Sequence, residues 1–181
     1  MRHSRGTSVG SALLVLAALA GGVAAQEGGT DAAAFQTPEA VVRELYDLVT
    51  FEAGTTPDWD LVRGLFLPEA VIVLRTTRTA TSVFSVDGFV GDFVTFIERA
   101  NVAETGFAER IVRLRPWTFK DMAQGLVLYE ASIPGSGRPP QQGIDNFGLV
   151  RRDGRWWIAS VLNDIPDAAN PVPPELREPE G

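Results

Sequence analysis

Cysteine is absent from the 181 residues of this chain, and histidine occurs once, at His3. The chain therefore forms no disulfide, and its stability must come from the packing of its core. Catalysis by a Ser-His or Cys-His pair, and zinc bound by His or Cys, need residues that the chain lacks beyond His3. Lysine is also nearly absent: apart from Lys120, every basic side chain other than His3 is an arginine.

The first 25 residues have the pattern of a secretory signal peptide. Two arginines precede an unbroken apolar run at 12–19, and the small residues Val23 and Ala25 stand three and one positions before a cut. The apolar run is too short to span a bilayer permanently. We therefore expect cleavage after Ala25, which removes His3, and a mature protein that is secreted or periplasmic.

The balance of charge is acidic. The chain has 16 basic and 23 acidic residues, a net charge of −7, and loss of the two arginines of the signal peptide changes this to −9. Phosphate backbones and anionic membrane surfaces repel such a protein, so we expect no nucleic-acid partner and no membrane partner. The Gly- and Pro-rich stretch 134–143 lacks the Gly-Lys-Ser/Thr ending of a phosphate loop. We expect neither a cofactor nor a metal.

Three helices are predicted before residue 107, each with a start signal of a capping residue or a proline. The signals are Thr37-Pro38, Thr56-Pro57-Asp58, and Ser85 or Asp87. A strand pair is predicted at 70–74 and 79–86, and four longer strands at 107–119, 122–133, 142–151 and 155–163. Helices followed by one meander predict the α+β class, with a strongly curved antiparallel sheet and three helices on its concave face.

The domain organisation follows from composition. Residues 26–36 are rich in Gly and Ala and predict a flexible leader, and 37–165 form one domain without an internal repeat. Residues 166–181 hold five prolines, which predicts an extended, mobile tail.

Three stretches carry a resemblance to a known superfamily: 58–71 (DWDLVRGLFLPEAV), 153–158 (DGRWWI), and 44–52 around Tyr46. Together with the order of the elements, they resemble the cone-shaped superfamily of nuclear transport factor 2 (NTF2-like), the ketosteroid isomerases and the SnoaL-like polyketide cyclases. The resemblance covers about 37–165 and implies a cavity between sheet and helices. It bears on fold more than on function.

The resemblance to ketosteroid isomerases implies roles for three positions. Those enzymes use a Tyr on the first helix and a protonated Asp on a late strand as an oxyanion hole, and a second Asp as general base. Tyr46 takes the place of the Tyr, and Asp145 that of the late Asp. The base position falls on Leu74, which cannot take a proton, and this argues against steroid isomerisation.

Two carboxyls are candidates for the cavity. Asp145 is flanked by apolar residues on a strand that should be buried, so it is either hydrogen-bonded there or protonated. The alternative is a structural Asp or one at the sheet rim. Glu130 shares a face with Leu126 and Leu128, and it enters the cavity only if that face lines it.

Aromatic residues are candidates for the cavity wall. We expect Phe66, Trp117 and Trp157 to line it. Strict alternation along the strand puts Trp117 on the same face as Glu109, Arg113 and Arg115. The opposite face carries Val112 and Leu114, which suit the core. An outward placement of the arginines is therefore favoured. An outward aromatic face would suit a homodimer between two sheets.

Three functions are consistent with these features. The leading hypothesis is a cavity that binds a small, mostly apolar molecule, with Tyr46 and Asp145 as polar groups. The second is a cofactor-free isomerase, dehydratase or cyclase that uses Asp145 or Glu130 as acid or base. The third is a dimeric interaction module that has no ligand and uses the outer sheet face and the tail.

Overall fold

A computed structural model describes residues 32–77 and 79–177 of the chain. The predicted signal peptide and the first part of the leader lie outside these residues. Within the described part of the leader, Ala32–Phe35 form a short 3-10 helix. The central guanidinium carbon of Arg155 lies 3.4 Å from the centroid of the Phe35 ring and 3.7 Å from that of the Trp157 ring. This stack holds the start of the domain against the sheet.

The helices begin where capping side chains satisfy free backbone amides. They are α1 (Pro38–Val49), α2 (Trp59–Arg63), α3 (Val86–Ala100) and α4 (Pro174–Arg177). The Thr37 hydroxyl accepts from the Ala40 amide, and the Ser85 hydroxyl accepts from the Gly88 amide, as the start signals predict. The α3 helix ends at Asn101, whose φ of 52° is the left-handed conformation that closes many helices.

Six strands form one curved sheet in the order β2-β1-β6-β5-β4-β3. They are β1 (Phe66–Arg75), β2 (Thr81–Phe84), β3 (Ala108–Phe119), β4 (Met122–Ser132), β5 (Gln141–Arg152) and β6 (Arg155–Asp164). The hairpin between β5 and β6 turns at Asp153-Gly154, where both residues have positive φ, as a two-residue turn requires. The α+β class predicted from the sequence is confirmed.

One strand pair is parallel, which the expectation of an antiparallel sheet did not include. The β1 strand runs parallel to β6, with Val71 opposite Ser160 and Ile72 opposite Val161. Parallel neighbours need a long connection. Here the connection comprises β2, α3 and the three strands β3, β4 and β5, after which β6 returns beside β1.

A β-bulge in β3 changes which side chains face the helices. Ile111 lies opposite Tyr129, whereas Arg113 lies opposite Leu128, so the alternation shifts at Val112. Glu109 therefore faces the helices, and Arg113 faces away from them. The expectation that these two residues share a face is wrong, because strict alternation holds only where no residue is inserted.

The core lies between the inner face of the sheet and helices α1 and α3. Its fully buried side chains include Val41, Leu65, Ile72, Phe147 and Ile158. No helix in residues 32–77 and 79–177 is long and apolar enough to cross a membrane.

The tail packs on the outer face of the sheet, the face turned away from α1 and α3. Val172 and Leu176 are buried against Leu126, Leu128 and Ile144. The backbone oxygen of Glu175 accepts a hydrogen bond from the Arg115 guanidinium at 3.0 Å. These contacts bury two apolar side chains of the tail against apolar strand residues.

Candidate functional site

A cavity of about 850 Å³ lies between the inner sheet face and helices α1 and α3. It extends to the end of the cone where β1 and β6 end and β5 begins. Its wall is mainly apolar and includes six phenylalanines. These are Phe66, Phe89, Phe93, Phe96, Phe107 and Phe147.

One polar cluster interrupts this apolar wall. The Asp145 carboxylate accepts a hydrogen bond from the Tyr46 hydroxyl at 2.5 Å and another from the Asn163 amide nitrogen at 2.7 Å. That amide nitrogen also donates to the Tyr129 hydroxyl at 3.0 Å, and the Asn163 amide oxygen accepts from the Arg75 backbone amide. The Asn163 side chain therefore has its orientation set by three partners.

A glycine makes room for the Tyr129 ring. Gly143 is the cross-strand partner of Tyr129, and a Cβ at this position would overlap the Tyr129 ring. The ring can therefore lie across β5 and bring its hydroxyl to Asn163 on β6. The glycine thus belongs to the site, although it carries no polar group.

Glu109 is a second carboxyl in the same cavity. The β3 bulge turns its side chain inward, and its backbone is held by the Thr50 hydroxyl. Among residues 32–77 and 79–177, no donor lies within hydrogen-bond distance of its carboxylate. Burial, and then the charge of Asp145, raise the pKa of Glu109 from 4.5 to about 8.

Asp145 titrates lower than Glu109 because it has donors. Burial raises the pKa of Asp145 from 3.8 to about 6, and the hydrogen bonds from Tyr46 and Asn163 oppose that rise. Burial, and then Asp145, raise the pKa of Tyr46, so this hydroxyl keeps its proton. Near pH 7 the site therefore holds a mostly ionised Asp145 and a mostly protonated Glu109.

Three of the five residues predicted to bind a ligand line the cavity: Tyr46, Phe66 and Asp145. Trp117 does not, because the bulge leaves it on the outer face, opposite Gln124 and 54% exposed. Trp157 does not either, because it lies opposite Val150 on that same face and stacks on Arg155. These two expectations are corrected.

Glu130 is also outside the cavity. It lies opposite Arg110 on the outer face, forms an ion pair with that arginine, and accepts from the Gln142 amide at 3.2 Å. Alternation along β4 turns it away from its neighbour Tyr129. Glu130 is therefore excluded as an acid or base in this cavity.

Comparison with known proteins supports the fold. No sequence-family profile matches the chain, and no curated protein matches it. Solved structures do match. An NTF2-like protein with a cystatin-like fold from Novosphingobium aromaticivorans is 14% identical over 72% of this chain and 81% of its own, with a TM-score of 0.57. An NTF2-like protein of unknown function from Pseudomonas putida is 12% identical over 77% and 92%, with a TM-score of 0.58.

An uncharacterised protein with a cystatin-like fold from Caulobacter vibrioides is 19% identical, over 77% of this chain and 95% of its own, with a TM-score of 0.55. This chain has the NTF2-like fold. Likeness at such low identity carries the fold and not the activity.

The cavity differs from the pattern of the ketosteroid isomerases in where its acids lie. Leu74, the position that resemblance assigns to the base, lines the cavity as an apolar residue. Glu109 is the carboxyl that sequence reasoning missed, because strict alternation placed it beside outward arginines. No three His, Cys, Asp or Glu side chains of the described residues are grouped to hold a metal.

We expect Glu109 to make stability depend on pH. A carboxyl whose pKa is higher in the folded chain than in the unfolded chain holds its proton better when folded, so stability falls as pH rises from about 4.5 to about 8. When the pH rises from 5 to 8, the unfolding free energy of the wild type should fall by about 2 kcal/mol more than that of Glu109→Gln. Urea unfolding at both pH values measures this difference.

Glu98→Gln, which removes an exposed acid on α3, is the matched control and should follow the wild type. Equal pH dependence in the wild type and Glu109→Gln would show that Glu109 is well solvated.

We expect Gly143→Ala to disturb the polar cluster. The new methyl group would displace the Tyr129 ring and break its hydrogen bond with Asn163, at a cost of about 1–3 kcal/mol in unfolding free energy. Gly125→Ala is the control, because its Cβ would make one tight contact, with the flexible end of Leu114 at 3.3 Å, and ordinary contacts at 3.8 Å with Phe147 and Val42. Urea unfolding of both variants tests this, and equal costs would contradict the packing described for Tyr129.

Proposed function

We propose that this NTF2-like chain binds a small, mostly apolar molecule in the cavity. The observation that carries the proposal is a cavity of about 850 Å³ with an apolar wall and a single polar cluster inside it. Sites for small molecules are typically 300–1,000 Å³, mainly apolar, with a few placed polar groups that orient the ligand. The cavity has both properties.

The Tyr129 hydroxyl is well placed to orient such a ligand. Its oxygen accepts from Asn163, and among the described residues no acceptor lies within hydrogen-bond distance of its own hydrogen. A protonated Glu109 offers a second donor in the same cavity. A carbonyl or hydroxyl oxygen on the ligand would satisfy these donors.

The proposal predicts that filling the cavity weakens binding. Ala131 lines the cavity and is small, so Ala131→Trp should lower the affinity for 2-naphthylethanol by about tenfold or more. Ala168→Trp, at an exposed position of the tail, should leave the affinity unchanged. Titration calorimetry at pH 7 measures both, after circular dichroism has shown that each variant is folded. Equal binding by the wild type and Ala131→Trp would place the probe elsewhere.

A second candidate function is cofactor-free acid-base catalysis of the isomerase, dehydratase or cyclase type. It is favoured by the presence of two carboxyls in one cavity, with pKa values raised to about 8 and about 6. Groups that titrate near neutral pH are suited to accept and return protons. The acid or base would be Glu109, in place of the excluded Glu130, since the Asp145 oxygens already accept two hydrogen bonds.

Proton exchange on a ketone separates catalysis from binding alone. If Glu109 moves protons, the wild type should speed deuterium uptake next to the carbonyl of 2-tetralone at least tenfold over Glu109→Gln. Proton NMR in deuterated buffer follows this exchange. Equal rates in the two proteins would leave binding as the function.

A further inference from the structure

The charges that line the cavity are arranged unevenly. Both acids of the interior, Glu109 and Asp145, are partly buried and face the cavity. The arginines that line it, Arg75, Arg99 and Arg138, belong to the end of β1, the end of α3 and the loop between β4 and β5. The interior is therefore acidic, and the positive charges lie at the rim.

The buried charges outweigh those at the rim. Coulomb attraction is about four times stronger at the effective dielectric of a protein site than in water, and salt screens exposed charges further. Arg99 and Arg138 are exposed, and so is the acid Asp92, which also lines the rim. Arg75 already pairs with Asp164. The charge that a ligand meets inside the cavity is thus set by Asp145 near pH 7, and by Asp145 and Glu109 together at pH 8 and above.

The Glu109 carboxyl also lacks a partner that a ligand would supply. No donor among the described residues reaches it, whereas Asp145 has two. A carboxyl enclosed without a hydrogen bond is costly, and a cation beside it would relieve that cost.

The wall near Glu109 suits a cation as well. Phe107, directly before β3, also lines the cavity, and its ring contacts those of Phe93 and Phe96 at 5.6 Å and 5.2 Å between centroids. Tyr46 and Tyr129 also line the cavity, with their ring centroids 5.7 Å apart. The faces of such rings attract ammonium groups.

We propose that the ligand of this cavity is an organic amine, whose ammonium group lies between Glu109 and Asp145 and whose apolar body packs on the phenylalanines. The inference rests on the proposed small-molecule function and names the chemical class of the ligand. An anionic ligand would place its charge against both carboxyls, and a neutral one would pair with Glu109 only in its protonated form, whereas an ammonium group pairs with the ionised form.

Three probes with the same naphthalene skeleton test which ligand charge the cavity prefers. They are 2-naphthylethylamine, 2-naphthylethanol and 2-naphthylacetate, titrated into the protein by calorimetry at pH 8. The amine should bind at least tenfold more tightly than the alcohol, and the acetate more weakly than the alcohol. The wild type alone answers this question, so no variant has to fold for the test to count.

The pH dependence of amine binding tests whether ionised carboxyls of the cavity hold the ammonium group. The groups around Glu109 are Tyr46 on α1, Tyr129 on β4, Asp145 on β5, and the rim charges Asp92, Arg75, Arg99 and Arg138. Of these, Asp145 titrates near pH 6 and the tyrosines stay protonated. As pH rises from 5.5 to 8, both carboxyls ionise while the amine keeps its proton. Its affinity should therefore rise about tenfold, and that of the alcohol should change less than twofold.

Matched variants assign the effect to Glu109. Glu109→Gln should lower the ratio of the amine affinity to the alcohol affinity severalfold, because it removes one of the two carboxylates proposed to hold the ammonium group. Glu130→Gln removes one acid from the outer face and should leave the preference for the amine intact.

Each other outcome overturns the inference in a recognisable way. Equal binding of amine and alcohol would overturn it and leave the small-molecule function standing. Tightest binding by the acetate would overturn the inference and indicate an anionic ligand held by Arg99 and Arg138. Binding of none of the three probes would overturn the proposed function, and the inference with it.

Discussion

The Asp145 carboxylate lies on the inner face of the sheet among apolar side chains, and the arrangement of the cavity depends on how it is satisfied. A carboxylate in such a place is tolerated when donors reach it. Tyr46 supplies one donor from α1 and Asn163 supplies another from β6. Through Asn163 the cluster extends to Tyr129 on β4. One buried charge therefore joins a helix and three strands around the cavity.

The bulge in β3 adds the second carboxyl. Without the inserted residue at Val112, Glu109 would lie with Arg113 on the outer face and would be solvated there. With it, Glu109 shares the cavity with Asp145, whose charge hinders the ionisation of Glu109. Local strand geometry thus changes the electrostatics of the site, and bulges are common next to functional sites for this reason.

The outer face of the sheet has a separate role in the structure. Val172 and Leu176 of the tail cover Leu126, Leu128 and Ile144. Trp117, Phe119 and Met122 at the end of the β3–β4 hairpin stay about half exposed. Of the three aromatic residues that the sequence suggested for the cavity wall, Trp117 and Trp157 lie on this outer face. Phe66 lines the cavity together with phenylalanines of α3 and of other inner positions.

The sequence by itself determined the local features. Thr37 and Ser85 cap helices, and Asp153-Gly154 turns the last hairpin, because each depends on a few neighbouring residues. Resemblance also singled out Tyr46 and Asp145, which the structure joins at 2.5 Å. Only the tertiary structure decided the bulge at Val112, the parallel pairing of β1 with β6, and the docking of the tail. These depend on which strands meet across long stretches of chain. Alternation along one strand carries no information about an inserted residue, so Glu109 was assigned to the wrong face.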